Sequence, residues 1–200
     1  MSKGGLVVTK QEMTKMWIDD NHMPVTLLKI EPQEIIRYKV ADKDGYDAMV
    51  VWANKKNKTK ENWKVQVYGY KCEFKVPEDF MENYGQWSNL DLSLLEWVED
   101  VALTGYTKWK WFQGTVKRFG FAEWPKTHGS RNHRQPGSIG SMKPRRVIKW
   151  KKLPGRMGNN KKTLKNVKIL DRFDMDDEQL IAVHGSVPWA YKSFLKLFLK

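Results

Sequence analysis

The feature that most constrains this chain is a stretch of 47 residues, from Trp124 to Leu170, that contains no Asp or Glu. Fourteen of these residues are Lys or Arg. A solvated surface normally mixes charges of both signs, whereas a carboxylate that lies against a polyanion is repelled. The composition of the stretch therefore predicts that an anionic polymer lies alongside it.

The same stretch is too poor in apolar residues to fold around a core of its own. Between Pro125 and Arg146 the only larger aliphatic residues are Ile139 and Met142. Its glycines and prolines are irregularly spaced, so the segment is not of low complexity, and it lies inside the chain. We expect an extended arm that becomes ordered against RNA. A disordered block of like charges is the alternative.

The basic charge of the chain is concentrated around this arm. Residues 101–170 contain 18 basic residues and one acid, Glu123, whereas the net charge of the whole chain is +13. The rest of the chain is therefore slightly acidic overall. This distribution predicts a nearly neutral body with a basic arm that binds nucleic acid; a merely soluble basic protein is the alternative.

The sequence outside the arm predicts a mainly β protein. Short alternating segments bounded by turn residues are typical of a β-barrel. We predict a barrel body in two parts, 1–116 with a small insertion and 161–200 with the closing strands, and the arm at 117–160. Strands are predicted at 6–8, 25–30, 35–40, 46–52, 65–76, 90–95, 98–103, 163–173 and 179–184. We also predict a polar loop at 53–62 and a helical turn at 77–84, while 193–200 fits a strand or a helix.

The surroundings of the protein are predicted from its single cysteine and from its hydropathy. Cys72 cannot form an internal disulfide, so we expect a buried thiol in a reducing compartment. No apolar run approaches the roughly 20 residues that cross a bilayer. The first residues lack the apolar region of a signal peptide. We therefore expect no membrane partner, and a protein that is cytosolic or made inside an organelle.

Catalytic and metal sites are disfavoured by the residues of the arm. His128 and His133 would need further ligands to hold a metal, and 124–170 offers no Cys, Asp or Glu. A nucleophilic pair of His133 with Ser138 or Ser141 lacks a nearby acid to orient the imidazole. We predict no catalytic residue, cofactor, metal or small-molecule substrate. The predicted RNA-binding residues are Lys117, Arg118, Lys126, His128, Arg131, His133, Arg134, Lys143, Arg145, Arg146, Lys149, Lys151, Lys152, Arg156, Lys161 and Lys162.

Two segments resemble the bacterial form of the ribosomal protein L3 family of the large subunit. These are FQGTVKRFGFAEWPKTHGSRNHRQPGSIGS at 112–141 and KKLPGRMG at 151–158. Shorter segments match the same family in the same order: GLVVTKQEMT, PVTLLKI, DGYDAMVV, VALTGYTK and HGSVP. The resemblance spans nearly the whole chain, and its central block is highly specific.

The resemblance implies a structural protein with no reaction of its own. Its fold would be a translation-protein-type β-barrel on the subunit surface, with a long loop that runs through 23S-type rRNA toward the peptidyl-transferase centre. It also implies rRNA contact early in assembly, ribosomal proteins L14 and L19 as neighbours, and a bacterial cytoplasmic ribosome, with an organellar ribosome as the alternative. The implied loop tip consists of Gln135, Pro136, Gly137, Ser138, Ile139, Gly140, Ser141 and Met142.

Two other function classes remain as alternatives. A free-standing, sequence-specific RNA-binding regulator would carry a helix-turn-helix or an aromatic sheet platform, and neither pattern is found. An RNA-modifying enzyme would carry a cofactor loop or a cluster of acids, which the arm lacks.

The chain departs from the family pattern in two ways. Ser141 stands where some bacterial members carry a methylated Gln. The chain also has ten tryptophans, several at positions where the family has glycine. One hypothesis is that UGA codons were read as Trp although the organism reads them as Gly; the alternative is a divergent organellar member whose indoles stack on RNA. The positions concerned are Trp97, Trp109, Trp111, Trp150 and Trp189, then Trp52 and Trp124, and finally Trp63.

Overall fold

A computed structural model describes residues 4–18, 20–60, 63–175 and 178–200, and gives no side-chain detail for 56–68, where Trp63 lies. The chain divides into two compact units. The first, called the body, comprises the chain up to Tyr106 together with Lys161–Lys200. The second unit, Thr107–Asn160, contains the predicted arm and the ten residues before it.

The body is built on a closed antiparallel barrel, which confirms the mainly β prediction. Its six strands are β1 (Gly5–Ile18), β2 (Asn21–Ile30), β6 (Asp100–Tyr106), β9 (Lys161–Asp174), β10 (Gln179–His184) and β11 (Phe194–Leu199). Around the barrel the strand order is β1-β11-β6-β9-β10-β2.

Alternation of side chains between the two faces of each strand fills the barrel. In β11 the inward residues Leu195 and Leu197 are fully buried, while Phe194 and Lys196 between and beside them are partly exposed. The segment 193–200, which fitted a strand or a helix, is therefore a strand. Antiparallel pairing of β11 with β1 on one side and β6 on the other fixes this choice.

A three-stranded antiparallel sheet completes the body. It consists of β3 (Gln33–Lys39), β4 (Ala48–Lys60) and β5 (Trp63–Lys75). The predicted polar loop at 53–62 is wrong for its described residues, because β4 and β5 stay paired up to Lys60 opposite Trp63. Interstrand hydrogen bonds thus override the low strand propensity of a Lys- and Asn-rich segment. Residues 61 and 62 lie outside the described part.

Short helical segments connect these strands. They are α1 (Ala41–Asp44), α2 (Glu78–Asn83) and a 3-10 turn at Leu92–Leu95. The predicted helical turn at 77–84 is confirmed by α2, whereas the strand predicted at 90–95 is wrong. Arg172 of β9 donates hydrogen bonds to the carbonyls of Leu95 and Val98, at 3.0 and 2.7 Å, which satisfy the end of the 3-10 turn. None of the described helices is long and apolar enough to span a membrane.

One apolar cluster joins the barrel and the three-stranded sheet within the body. Phe74 of β5 and Leu6 of β1 both lie in it fully buried. Cys72 belongs to the same cluster, which confirms the predicted buried thiol, and burial raises its pKa to about 12. The Gln33 amide accepts the Val7 N–H at 2.8 Å and donates to the Val7 carbonyl at 3.2 Å. Both backbone polar groups of Val7 are thereby paired inside the core.

Candidate RNA interface

The second unit begins and ends in a narrow paired segment, which we call the neck and define as residues 107–113 with 155–160. Its two short strands are β7 (Phe112–Gln113) and β8 (Gly155–Arg156), which pair antiparallel. Beyond them, the Thr107 N–H donates to Asn160 and the Lys110 N–H to Met157, both at 3.0 Å. Hydrogen bonds between residues about 50 positions apart therefore close the base of the unit.

Gly158 is the tightest point of the neck. An added Cβ there would lie 2.1 Å from the Lys108 carbonyl oxygen and 2.9 Å from the Lys110 nitrogen. The residue also has φ +83°, in the region that favours glycine. The neck thus depends on a residue without a side chain at the point where its two backbones touch.

Past the neck, the second unit has little regular structure, and its buried residue there is Thr115 at the start of a short helix. Helix α3 (Thr115–Phe119) ends at Gly120, whose φ of +70° is a left-handed C-cap. Every residue from Val116 to Met157 is described, and none of them is buried. Apolar side chains are exposed along this segment, among them Met142 (81%) and Ile148 (59%). Such a surface lacks the packing that normally stabilises a folded chain.

The predicted RNA-binding cations are exposed with one exception. The exception is Arg118, half-buried, whose Nη1 donates to the Leu153 carbonyl at 2.7 Å. This bond joins α3 to the returning chain, so part of the Arg118 guanidinium holds the second unit together. Arg134 forms an ion pair with Glu123, the only acid of 101–170. The exposed cations are Lys117, Lys126, Arg131, Arg134, Lys143, Arg145, Arg146, Lys149, Lys151, Lys152, Arg156, Lys161 and Lys162.

Cations stack against aromatic rings near the neck. The Arg156 guanidinium lies 4.8 Å from the centre of the Trp109 ring. On α3, Phe119 has the Arg118 guanidinium at 4.9 Å and the Lys152 amine at 6.0 Å from its ring centre. A flat ring beside a cation offers RNA both a stacking face and a phosphate ligand.

The two histidines of the second unit differ in their surroundings. His133 has its Nδ1 3.0 Å from the Pro125 carbonyl, and its own carbonyl accepts the Trp124 N–H at 3.0 Å. These bonds close a loop between 124 and 133, so His133 has a structural role. His128 is exposed, with a left-handed φ of +58°. Among the described residues, no group of three His, Cys, Asp or Glu side chains could hold a metal ion.

The predicted loop tip at 135–142 carries no charged residue and is exposed except at Pro136, which is half-buried. Its serines bond locally: the Ser138 hydroxyl donates to the Gly140 carbonyl at 3.0 Å, and that of Ser141 to the Lys143 carbonyl at 2.8 Å. The tip therefore offers a compact neutral surface between two cationic flanks.

The predicted RNA-binding residues do not all lie in the second unit. Lys161 and Lys162 lie on β9, in the part of the chain that was predicted to belong to the body. Conversely, Lys108 and Lys110 lie exposed in the neck but were not among the predicted RNA-binding residues. Their position inside the basic window 101–170 was the signal that could have identified them.

Comparison with known proteins decides the family. A family model for ribosomal protein L3 matches residues 93–189. The large ribosomal subunit protein uL3 of Natranaerobius thermophilus is 38% identical over 206 residues, which cover 98% of this chain and 96% of the relative. The chain belongs to the ribosomal protein L3 family.

Other members of the L3 family match over similar lengths. The uL3 proteins of Syntrophus aciditrophicus and Oceanobacillus iheyensis are 36% and 33% identical, over 98% and 96% of this chain and 93% and 95% of theirs. The family assignment from the sequence is therefore confirmed.

Proposed function

We propose that this protein is a non-catalytic structural constituent of the large ribosomal subunit and that it binds 23S-type rRNA, chiefly through residues 107–160. Membership of the L3 family supports the first statement. The statement that the protein binds rRNA rests on one observation: residues 116–157 expose cations and apolar side chains, and none of these residues is buried. A segment of this kind gains its missing packing from a partner.

Charge accounts for the affinity of this interface. Each Lys or Arg that contacts a phosphate releases condensed counterions, so binding weakens steeply with salt. The exposed pair Arg145 and Arg146 and the exposed lysines Lys149, Lys151 and Lys152 form the densest part of this surface. Contacts of this type position the protein without reading the base sequence. Stacking on Phe119 and Trp109, each beside a cation, adds contacts to unpaired bases.

The neutral tip serves a different purpose in this proposal. Residues 135–142 carry no charge, so they fill a narrow space between RNA segments without drawing phosphates inward. We place this tip toward the peptidyl-transferase centre and the body at the subunit surface beside ribosomal proteins L14 and L19. The protein would join the rRNA early in assembly of the cytoplasmic ribosome. These details rest on the resemblance of 112–141 to the L3 family.

Matched charge-removal variants test the proposal. Arg145, Arg146 and Lys149 are changed together to Gln, and the control changes Lys15, Lys43 and Lys192, which are exposed cations of the body. Affinity for large-subunit rRNA is measured between about 50 and 200 mM salt. The arm variant should reduce the slope of log K against log salt by roughly 0.7–0.9 per lost phosphate contact. The control should leave the slope near that of the unchanged protein.

Deletion of 124–158 provides a second test. The remaining body, whose apolar core lies outside the deleted segment, should keep its circular dichroism and thermal transition yet bind rRNA far more weakly. Undiminished binding by the body alone would contradict the role of the arm. Cosedimentation with the small subunit only, or salt-insensitive binding, would contradict the function as a whole.

A further inference from the structure

Three tryptophans stand on a backbone conformation that L residues with side chains rarely adopt. Their φ angles are +71° at Trp87, +57° at Trp111 and +67° at Trp150. We propose that the protein as synthesised in its own cells carries glycine at these three positions. The inference rests on backbone geometry and is independent of the proposed function.

Residue type separates these three positions from other left-handed ones. Most of the other described non-glycine residues with positive φ are Asn, Asp or His, whose short polar side chains tolerate this region. Tryptophan has a large ring and no short polar side chain that could hydrogen-bond to the local backbone. It is therefore a true outlier in this region. The other left-handed non-glycine residues are Asp20, Asn54, His128, Asn159, Asn166 and Lys192.

Turn geometry points to glycine at two of the positions. The Lys151 N–H donates to the Ile148 carbonyl at 3.3 Å, which makes Trp150 the third residue of a four-residue turn. Trp87 is likewise the third residue of a four-residue turn, which the Ser88 N–H closes by donating to the Gly85 carbonyl at 3.3 Å. A positive φ confined to the third residue is typical of a type II turn, and that position favours glycine.

Little packing compensates for the strained backbone, although the Trp111 ring meets that of Trp109 edge to face with ring centres 5.8 Å apart. The side chains of Trp87, Trp111 and Trp150 are 60%, 75% and 98% exposed. Strained conformations persist where surrounding contacts hold them in place, and an indole is normally retained for the apolar area that it buries. Trp17 is also exposed (67%) but packs on His22 with ring centres 3.7 Å apart, and Trp189 is 3% exposed. Neither of these two has a left-handed φ.

A single decoding difference explains why the residue at all three positions is tryptophan. The codon UGA is read as tryptophan under one variant genetic code and as glycine under another. A gene from a cell of the second kind, translated by the first code, yields tryptophan at every such glycine. The structure adds Trp87 to the positions for which the family pattern suggested this origin.

Peptide mass spectrometry of the native protein, purified from the cells that encode it, tests the proposal at each position. Peptides that span 87, 111 and 150 should have the mass of glycine at those sites. The peptide that contains Trp17 serves as the internal control, and we expect it to retain tryptophan. A tryptophan mass at 87, 111 or 150 overturns the proposal for that position.

Recombinant variants test the backbone reasoning separately. Trp150→Gly is compared with Trp150→Ala, because both remove the indole and only glycine relieves the left-handed strain. The Lys151 N–H, which closes the turn, should be protected from hydrogen exchange on the order of tenfold more in the glycine variant. Equal protection in the two variants would show that φ at 150 places no demand on the residue, and would overturn the physical basis of the proposal.

Discussion

Gly158→Ala is expected to open the neck of the second unit. The alanine Cβ would lie 2.1 Å from the Lys108 carbonyl oxygen and 2.9 Å from the Lys110 nitrogen. Both atoms belong to the backbone, so neither moves away by a change of side-chain rotamer. Since φ is +83° at this position, alanine is also strained before any clash is counted.

The size of the effect follows from these two causes. Left-handed backbone costs an L residue about 1–2 kcal/mol, and overpacking at a rigid contact costs about 1–3 kcal/mol. Together they destabilise the neck by about 2–5 kcal/mol. Only a few hydrogen bonds close the neck near Gly158. We therefore expect its two segments, 107–113 and 155–160, to separate there instead of absorbing the strain.

Native-state hydrogen exchange measures this opening directly. The reporters are the amides of Lys110, Met157 and Asn159, which donate across the neck at 3.0–3.1 Å. Their protection should fall strongly in Gly158→Ala, while barrel amides such as that of Leu197 keep theirs. Affinity for rRNA should fall as well, because the open neck no longer holds the cations of the second unit in fixed positions.

Gly140→Ala is the matched control within the same unit. No atom lies within 4 Å of its added Cβ, and its φ is not left-handed. We expect a change of at most about 0.5 kcal/mol, as for an ordinary surface substitution. Unchanged neck protection in Gly158→Ala would refute the reasoning, as would equal losses in both variants.

Three further predictions concern the body and the charge of the second unit. Arg172→Met removes two hydrogen bonds to backbone carbonyls, 3.0 and 2.7 Å long, and should lower the free energy of unfolding by roughly 1.5–3 kcal/mol in urea titration, with Lys168→Met as the near-neutral control. Cys72, whose pKa burial raises to about 12, should resist alkylation at pH 8 until urea unfolds the body; rapid labelling of the folded protein would contradict its burial. Glu123→Gln releases Arg134 from its ion pair and should tighten rRNA binding severalfold in filter-binding assays, whereas weaker binding would show that the pair organises the site.

Sequence patterns were sufficient where the cause is local. Alternating apolar residues predicted the strands around Val25–Ile30 and 179–184, because one side of each strand must face a core. The absence of acids from 124–170 and the scarcity of aliphatic residues predicted a segment without a core, and no residue from 116 to 157 is buried. The family, too, was identified from the block at 112–141.

The same patterns failed where the cause is a distant partner. Residues 90–95 alternate like a strand, yet Leu92–Leu95 forms a 3-10 turn whose carbonyl end is satisfied by Arg172, 77 residues away from Leu95. Residues 53–60 look like a polar loop, yet they lie in a hairpin because β5 offers a complete hydrogen-bonding edge. Which residues contact RNA stays a prediction, since it depends on a partner that neither pattern nor fold contains.

The sequence alone determines the basic stretch at 124–170. Its charge and its lack of apolar residues are present before the chain folds. Closure of the barrel and of the neck was decided only by tertiary structure. β1 pairs with β11 across the whole length of the chain, and Gly158 meets Lys108 across the second unit. Such contacts join residues far apart in sequence, and their geometry exists only once the backbone has brought them together.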